Sequence, residues 1–133
     1  MGPKLILFQK IGIPEQGFLS IASSNKQVKF EIQRCFWNYG TPEEIIRGRH
    51  AHYETEMILI ALHGEIEIKT ISKNNEHSNF ILNDPNTGLY LPKLCWHEMK
   101  YSDNAIQLVL CSTFYQEEDY IRDFNQFLSV INK

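Results

Sequence analysis

The sequence predicts an all-β fold, an antiparallel sandwich or barrel closed by one C-terminal helix. Three observations carry this. Short segments whose apolar residues alternate with period two recur along the 133 residues, separated by turn-forming clusters. No strand–helix–strand alternation appears, which argues against a doubly wound parallel sheet. From Glu117 the apolar period lengthens to that of a helix. Closely spaced strands of this kind, roughly eight to ten of them, are the pattern of sandwiches and barrels.

The elements follow in order. Lys4 to Phe8 is a first strand, and Lys10 to Ile13 stays extended. Pro14-Glu15-Gln16-Gly17 is a turn, and Phe18 to Ala22 a short strand. After the polar Ser23 to Lys26, Val28 to Tyr39 alternates, with Val28, Phe30 and Ile32 on one face and Lys29, Glu31 and Gln33 on the other. This predicts one strand with a buried face. The phase puts Arg34 on the apolar face and Trp37 opposite; a guanidinium there needs an anionic partner, unless the strand ends or bulges at Arg34. Gly40 to Glu44 is a loop, and His50 to Leu62 is the next strand. A hairpin at Leu62 to Glu65 leads into Glu65 to Ile71. Ser72 to Ser78 is a polar excursion, Asn79 to Leu82 a short strand, and Asn83 to Gly88 a run of turn formers. Leu89 to Pro92, Leu94 to Tyr101 and Ile106 to Tyr115 read as extended. Tyr120, Ile121, Phe124, Phe127, Leu128 and Ile131 fit one helix face, and the acids Glu117, Glu118 and Asp119 suit its N-terminus.

Residues 1–133 suffice for a single domain with its own core. A formal charge of −3 argues against a nucleic-acid partner held by bulk charge. No apolar run of 18 residues and no signal-peptide pattern is present, so the expectation is a soluble cytoplasmic protein with no membrane partner. Cys35, Cys95 and Cys111 form no paired motif and read as reduced thiols. No glycine-rich nucleotide motif occurs, so no dinucleotide or ATP cofactor is indicated.

The chemistry concentrates in Arg47-Gly48-Arg49-His50-Ala51-His52-Tyr53-Glu54-Thr55-Glu56. On an extended chain His50 and His52 point the same way, and Glu54 and Glu56 share that phase. Two readings stand side by side. His50-x-His52-x-x-x-Glu56 with His97 has the ligand spacing of metal-binding cupins, and imidazole with carboxylate suits a first-row transition metal. The same pair can do acid–base work, because imidazole exchanges protons near neutral pH. Arg47 and Arg49 either hold an anionic substrate or form a solvated rim. Trp37, Tyr39, Tyr53, Tyr90, Trp96 and Tyr115 are divided between core and stacking surfaces. Cys95 lacks the neighbouring base that a thiol nucleophile needs.

The Arg47-to-His52 segment resembles the RGxHAH stretch of the WxcM-like nucleotide-sugar 3,4-ketoisomerases, small cupins acting on dTDP-4-keto-6-deoxyglucose. Leu82 to Pro92, Trp96-His97-Glu98-Met99 and Tyr115 to Phe124 are similar to further blocks of that family, in the same order. The resemblance implies a cupin jelly-roll barrel, a homodimer with exchanged N-terminal strands and no metal or other cofactor. It implies His50 and His52 as catalytic acid/base residues. It places Arg34, Trp37, Arg47, Tyr90, Trp96 and His97 in or near the substrate pocket. Phe36-Trp37 departs from a tyrosine common at this point in relatives, and Gln16 from an arginine. His97 resembles members giving the galacto-configured product, whereas Gln16 does not support that configuration.

The implied reaction moves a ketone from C4 to C3 of a dTDP-linked 6-deoxy sugar through an enediol, for 3-amino-3,6-dideoxy sugar biosynthesis. The rivals are a metal-dependent cupin using His50, His52, Glu56 and His97, and a non-catalytic sugar-binding cupin. A 3,5-epimerase on a similar fold is a nearer competitor, and the sequence shows no histidine–aspartate arrangement to support it.

Overall fold

The six residues Met57 to Leu62 are apolar without interruption, and a strand buried on both faces explains why. In the computed structural model, which describes residues 2–133, this strand is the centre of a five-stranded antiparallel sheet. Its strands are β1 (Lys4–Leu7), β4 (Arg34–Asn38), β6 (Met57–His63), β9 (Thr87–Leu91) and β11 (Ile106–Cys111), in the order β1-β9-β6-β11-β4. A second sheet holds β5 (Ile46–His52), β7 (Ile66–Ile71), β8 (His77–Leu82), β10 (Trp96–Tyr101) and β12 (Tyr120–Ile121), in the order β12-β5-β10-β7-β8. The strands β2 (Gln9–Ile13) and β3 (Gly17–Ile21) form a separate hairpin, and α1 (Phe124–Ile131) ends the chain. This is the cupin-like jelly roll that the family resemblance implies, one form of the antiparallel sandwich or barrel that strand spacing predicts.

Alternate residues of the strands build the core between the sheets. Met57, Leu59 and Ala61 meet Ile68, Leu89 and Val109 there, and the odd side of β6 is thereby spent. Ile58 and Ile60 face outward and are covered by Phe8, Val28 and Phe30. On the outer face of the second sheet, α1 seals Ala51, Trp96 and Ile121 with Phe127. Asp123 caps that helix, its side chain accepting from the backbone N–H of Asn125 at 2.8 Å.

Of the expected boundaries that move, three bear on the site. Residues 28–33 do not extend β4, although Val28, Phe30 and Ile32 alternate. They lie as a cover across the outer face of the first sheet, where packing rewards the same alternation without a ladder. The strand starts at Arg34. His50 to Leu62 is two strands, β5 and β6, because the chain crosses from one sheet to the other at residues 53–56. The third is the helix: Glu117–Asp119 is a single 3₁₀ turn, Tyr120 and Ile121 pair with β5, and the helix begins at Phe124. The acids therefore do not sit at its N-terminus.

Candidate active site

His50 and His52 point inward from β5, and His97 stands opposite His50 in the register of β10. A bulge interrupts that register. Gly48 and Arg49 both have positive φ, 84° and 59°, and one extra residue is absorbed between the His97 and Glu98 pairings. A side chain at Gly48 would place Cβ 2.8 Å from the His97 carbonyl oxygen, so the bulge needs glycine there.

The three rings form one cluster. Ring centroids lie 5.0 Å apart for His50 and His52, 4.7 Å for His50 and His97, and 6.2 Å for His52 and His97. Each ring is anchored through Nδ1. His50 Nδ1 is 3.0 Å from the Gly48 carbonyl oxygen, and His97 Nδ1 is 3.2 Å from that of Cys95. His52 Nδ1 is 3.1 Å from Asp119 Oδ2. Carbonyl and carboxylate oxygens only accept, so each Nδ1 carries the proton and each Nε2 presents a lone pair. The Nε2 atoms of His52 and His97 are buried and have no partner among the described residues.

Burial also holds the rings neutral. It pulls His50 down to about 4, with the neighbouring His52 adding to the effect. Burial lowers His52 too, against the opposing pull of Asp119, and it takes His97 well below the usual imidazole range. At neutral pH the cluster is a set of proton acceptors.

Tyr120 closes one side, its ring 5.0 Å from His50 and 4.4 Å from His52. The Arg122 guanidinium lies 4.2 Å over the Tyr120 ring and donates to Glu117 at 2.8 and 3.0 Å. These bonds, together with the Tyr115 hydroxyl, hold the Glu117 carboxyl down to about 2. Arg34 faces the same end, 5.7 Å from the Tyr115 ring, and its charge is felt at His52. Arg47 lines a small cavity of about 70 Å³ with His50, His97, Phe36 and Gln107. Larger clefts lie on the outer faces, about 470 Å³ beside Trp96 and Glu98 and about 370 Å³ beside Tyr90 and Glu56. Neither gathers a convergent acid–base set, so chemistry rather than volume locates the site.

Of the residues singled out in the sequence, His50, His52, His97, Arg34 and Arg47 are brought to this end of the barrel. Trp37, Tyr90 and Trp96 lie elsewhere in this chain. Trp37 is 59% exposed on the outer side of β4, opposite Arg34 and Phe36. Trp96 is buried beneath α1, 5.1 Å from Phe124, and its indole N–H donates to Glu98 at 3.1 Å. Tyr90 lies on the outer face of the first sheet and donates to Glu56 at 2.6 Å. Glu56 thus faces away from the histidines, because the crossing at 53–56 breaks the phase it would share with His52. The described residues contain no group of three or more His, Cys, Asp or Glu placed to hold a metal ion. The four-ligand set His50, His52, Glu56 and His97 is therefore not assembled. Cys95 is buried, and burial pushes its thiol up to about 12, which leaves it unreactive.

Asp119 and Tyr120 escaped the sequence reading. A histidine–aspartate pair is present after all, contrary to expectation, between residues 67 apart in the chain. The available signal was Asp119-Tyr120 within the segment similar to the family's C-terminal block.

A jelly roll that gathers neutral imidazoles at one end of its barrel is a cupin equipped for proton transfer. More narrowly, the chain belongs to the WxcM-like, C-terminal (FdtA) family, whose model matches residues 1–132. It is 36% identical to the TDP-4-oxo-6-deoxy-alpha-D-glucose-3,4-oxoisomerase of Aneurinibacillus thermoaerophilus, over 100% of this chain and 95% of that protein. Its structure is similar to that of a 3,4-ketoisomerase from Helicobacter canadensis, with a TM-score of 0.94, 38% identity, and coverage of 100% and 99% of the two chains. It is also similar to QdtA, a sugar 3,4-ketoisomerase from Thermoanaerobacterium thermosaccharolyticum in complex with TDP. There the TM-score is 0.93 at 31% identity, covering 98% of this chain and 95% of that one.

Proposed function

We propose that this protein is a nucleotide-sugar 3,4-ketoisomerase that converts dTDP-4-keto-6-deoxyglucose to a dTDP-3-keto-6-deoxyhexose. The observation that carries the reading is the cluster of imidazoles with bare Nε2 atoms, in a chain alike over its whole length to 3,4-ketoisomerases. The C4 ketone acidifies the hydrogen on C3. One of His50 and His52 removes it; the C–H pair becomes a C3=C4 double bond, and the carbonyl π pair moves to O4. The O3 proton then leaves, its pair re-forms a carbonyl at C3, C4 takes a proton, and O4 is protonated. Atoms and electrons balance without an external oxidant or reductant. Two neighbouring imidazoles suit the two proton transfers, on carbon and between oxygens. Arg34 and Arg47 supply positive charge for the anionic nucleotide and the enediolate oxygen.

His97 favours the galacto product. The product serves a step that installs nitrogen at C3, and the protein works in the cytoplasm. The working form is a homodimer with exchanged N-terminal strands. Ile11, Ile13, Phe18 and Leu19 on the β2–β3 hairpin are each about half exposed, an apolar surface that a second copy would cover.

An NMR time course on dTDP-4-keto-6-deoxyglucose tests the reading, since it reports turnover and C4 configuration together. Conversion by chelator-treated protein is expected. Activity that vanishes with chelator and returns with iron or manganese would replace this reading with a metal-dependent one, and TDP binding without turnover with a sugar-binding one.

A further inference from the structure

The proton transfers above leave Asp119 without a role, yet it is the most heavily built group around the histidines. It is 9% exposed. Its Oδ1 accepts from the Glu54 backbone N–H at 2.6 Å. Its Oδ2 accepts from His52 Nδ1 at 3.1 Å and from the Thr55 hydroxyl. That hydroxyl has given its only hydrogen to Asp119, so it accepts in turn from Thr113, 2.6 Å away. Two donors from the strand crossing at 53–56, one of them held in turn by Thr113 after β11, thus fix the carboxylate against one ring.

We propose that Asp119 is a positioning residue that keeps His52 protonated on Nδ1 and bare on Nε2, and that stabilises the imidazolium formed when Nε2 takes a proton from substrate. The inference rests on the acid–base reading of His52 given above. Its core is an asymmetry within the cluster. His50 and His97 lean on neutral backbone carbonyls, whereas His52 alone leans on a carboxylate. A hydrogen bond to a charged acceptor strengthens as the ring becomes cationic far more than one to a carbonyl does.

The surroundings make that support necessary. His52 is faced by His50 on its own strand, His97 from β10, Tyr120 from β12, Arg34 from β4 and Arg122 beyond β12. Both guanidiniums oppose a positive ring, and burial opposes it further. Glu117 is engaged by Arg122. Asp119 is the anion in hydrogen-bond contact with His52. Nε2 accepts one proton from the substrate, exchanges it with solvent and gives one back to the substrate, while Nδ1–H and the carboxylate stay as they are.

The test combines kinetics with nitrogen-resolved NMR of the histidines. Asp119→Asn is expected to lower kcat by ~10²–10⁴-fold with KM changed only a few-fold, the scale of a misplaced general base. The acid limb of its kcat profile moves to lower pH, because the ring has lost the charge that favours its protonation. Thr55→Val strips one donor from the carboxylate, tightens its hold on Nδ1–H and moves the same limb to higher pH. In the wild-type spectrum His52 shows a protonated Nδ1 and a bare Nε2; Asp119→Asn redistributes that proton. An unprotonated Nδ1 in the wild type overturns the proposal, whether or not the variants fold. So does a folded Asp119→Asn variant whose activity falls while the pH limb and the His52 signals stay put. Wild-type protein inactive on the nucleotide sugar overturns the ketoisomerase reading instead, and leaves the His52–Asp119 geometry to the NMR result.

Discussion

Three neutral imidazoles inside a barrel have a consequence for stability as well as for chemistry. The unfolded chain binds protons at its histidines near pH 6.5, whereas folded His50 resists protonation to about 4, and His52 and His97 are lowered in the same direction. Between those values the unfolded state holds more protons, so stability is present above pH 6.5 and is lost as pH falls toward 4. Melting temperature measured across that window should drop steadily; a flat profile would contradict neutral histidines in the folded site. At this scale much of the site is legible in the sequence. Alternation puts His50 and His52 on one face. The same parity sets Trp37 opposite Arg34 and Trp96 opposite His97, which is where the fold leaves them. For Asp119 and Tyr120 the sequence offers only the family-like block that contains them; their contact with His52 is made by the fold, through the 3₁₀ turn and β12, across some 67 residues.

Two elements position the cluster. The first is the bulge in β5. Gly48→Ala must crowd the His97 carbonyl at a positive φ, and such strain costs ~1–3 kcal/mol. Urea denaturation should report that loss, and activity should fall further than stability because His50 takes its Nδ1 partner from Gly48. The second is α1. Phe127 is fully buried against Trp96, and truncating it to alanine should cost ~3–5 kcal/mol. Trp96 fluorescence would follow the exposure of the sheet beneath. Helical spacing correctly identifies Phe124, Phe127, Leu128 and Ile131, but it carries the helix back too far. Tyr120 and Ile121 have the same spacing because β12 buries Ile121 under the same helix. Residues 28–33 mislead for a related reason: an outer cover and a strand both reward alternate apolar residues.

For the whole molecule, an antiparallel sandwich or barrel was readable from strand spacing and its jelly-roll form only through the family resemblance, whereas the crossing between sheets at 53–56 was not readable. That crossing removes Glu56 from the histidines and, with it, the simplest metal reading. The exposed apolar hairpin points outward from this chain, and light scattering on the purified protein should give twice the 15.6 kDa of one copy. A Phe18→Asp substitution on that hairpin should shift the mass toward the monomer. In the proposed reaction His50 and His52 move protons on a keto sugar. It is tested most directly by incubating the protein with dTDP-4-keto-6-deoxyglucose in D₂O and locating the deuterium by NMR. The expected product is a 3-keto sugar carrying deuterium at C4, with the rate falling by ~10²–10⁴-fold in His50→Asn and His52→Asn. Folded wild-type protein that forms no 3-keto sugar, or a His52→Asn variant that keeps the wild-type rate, would contradict it.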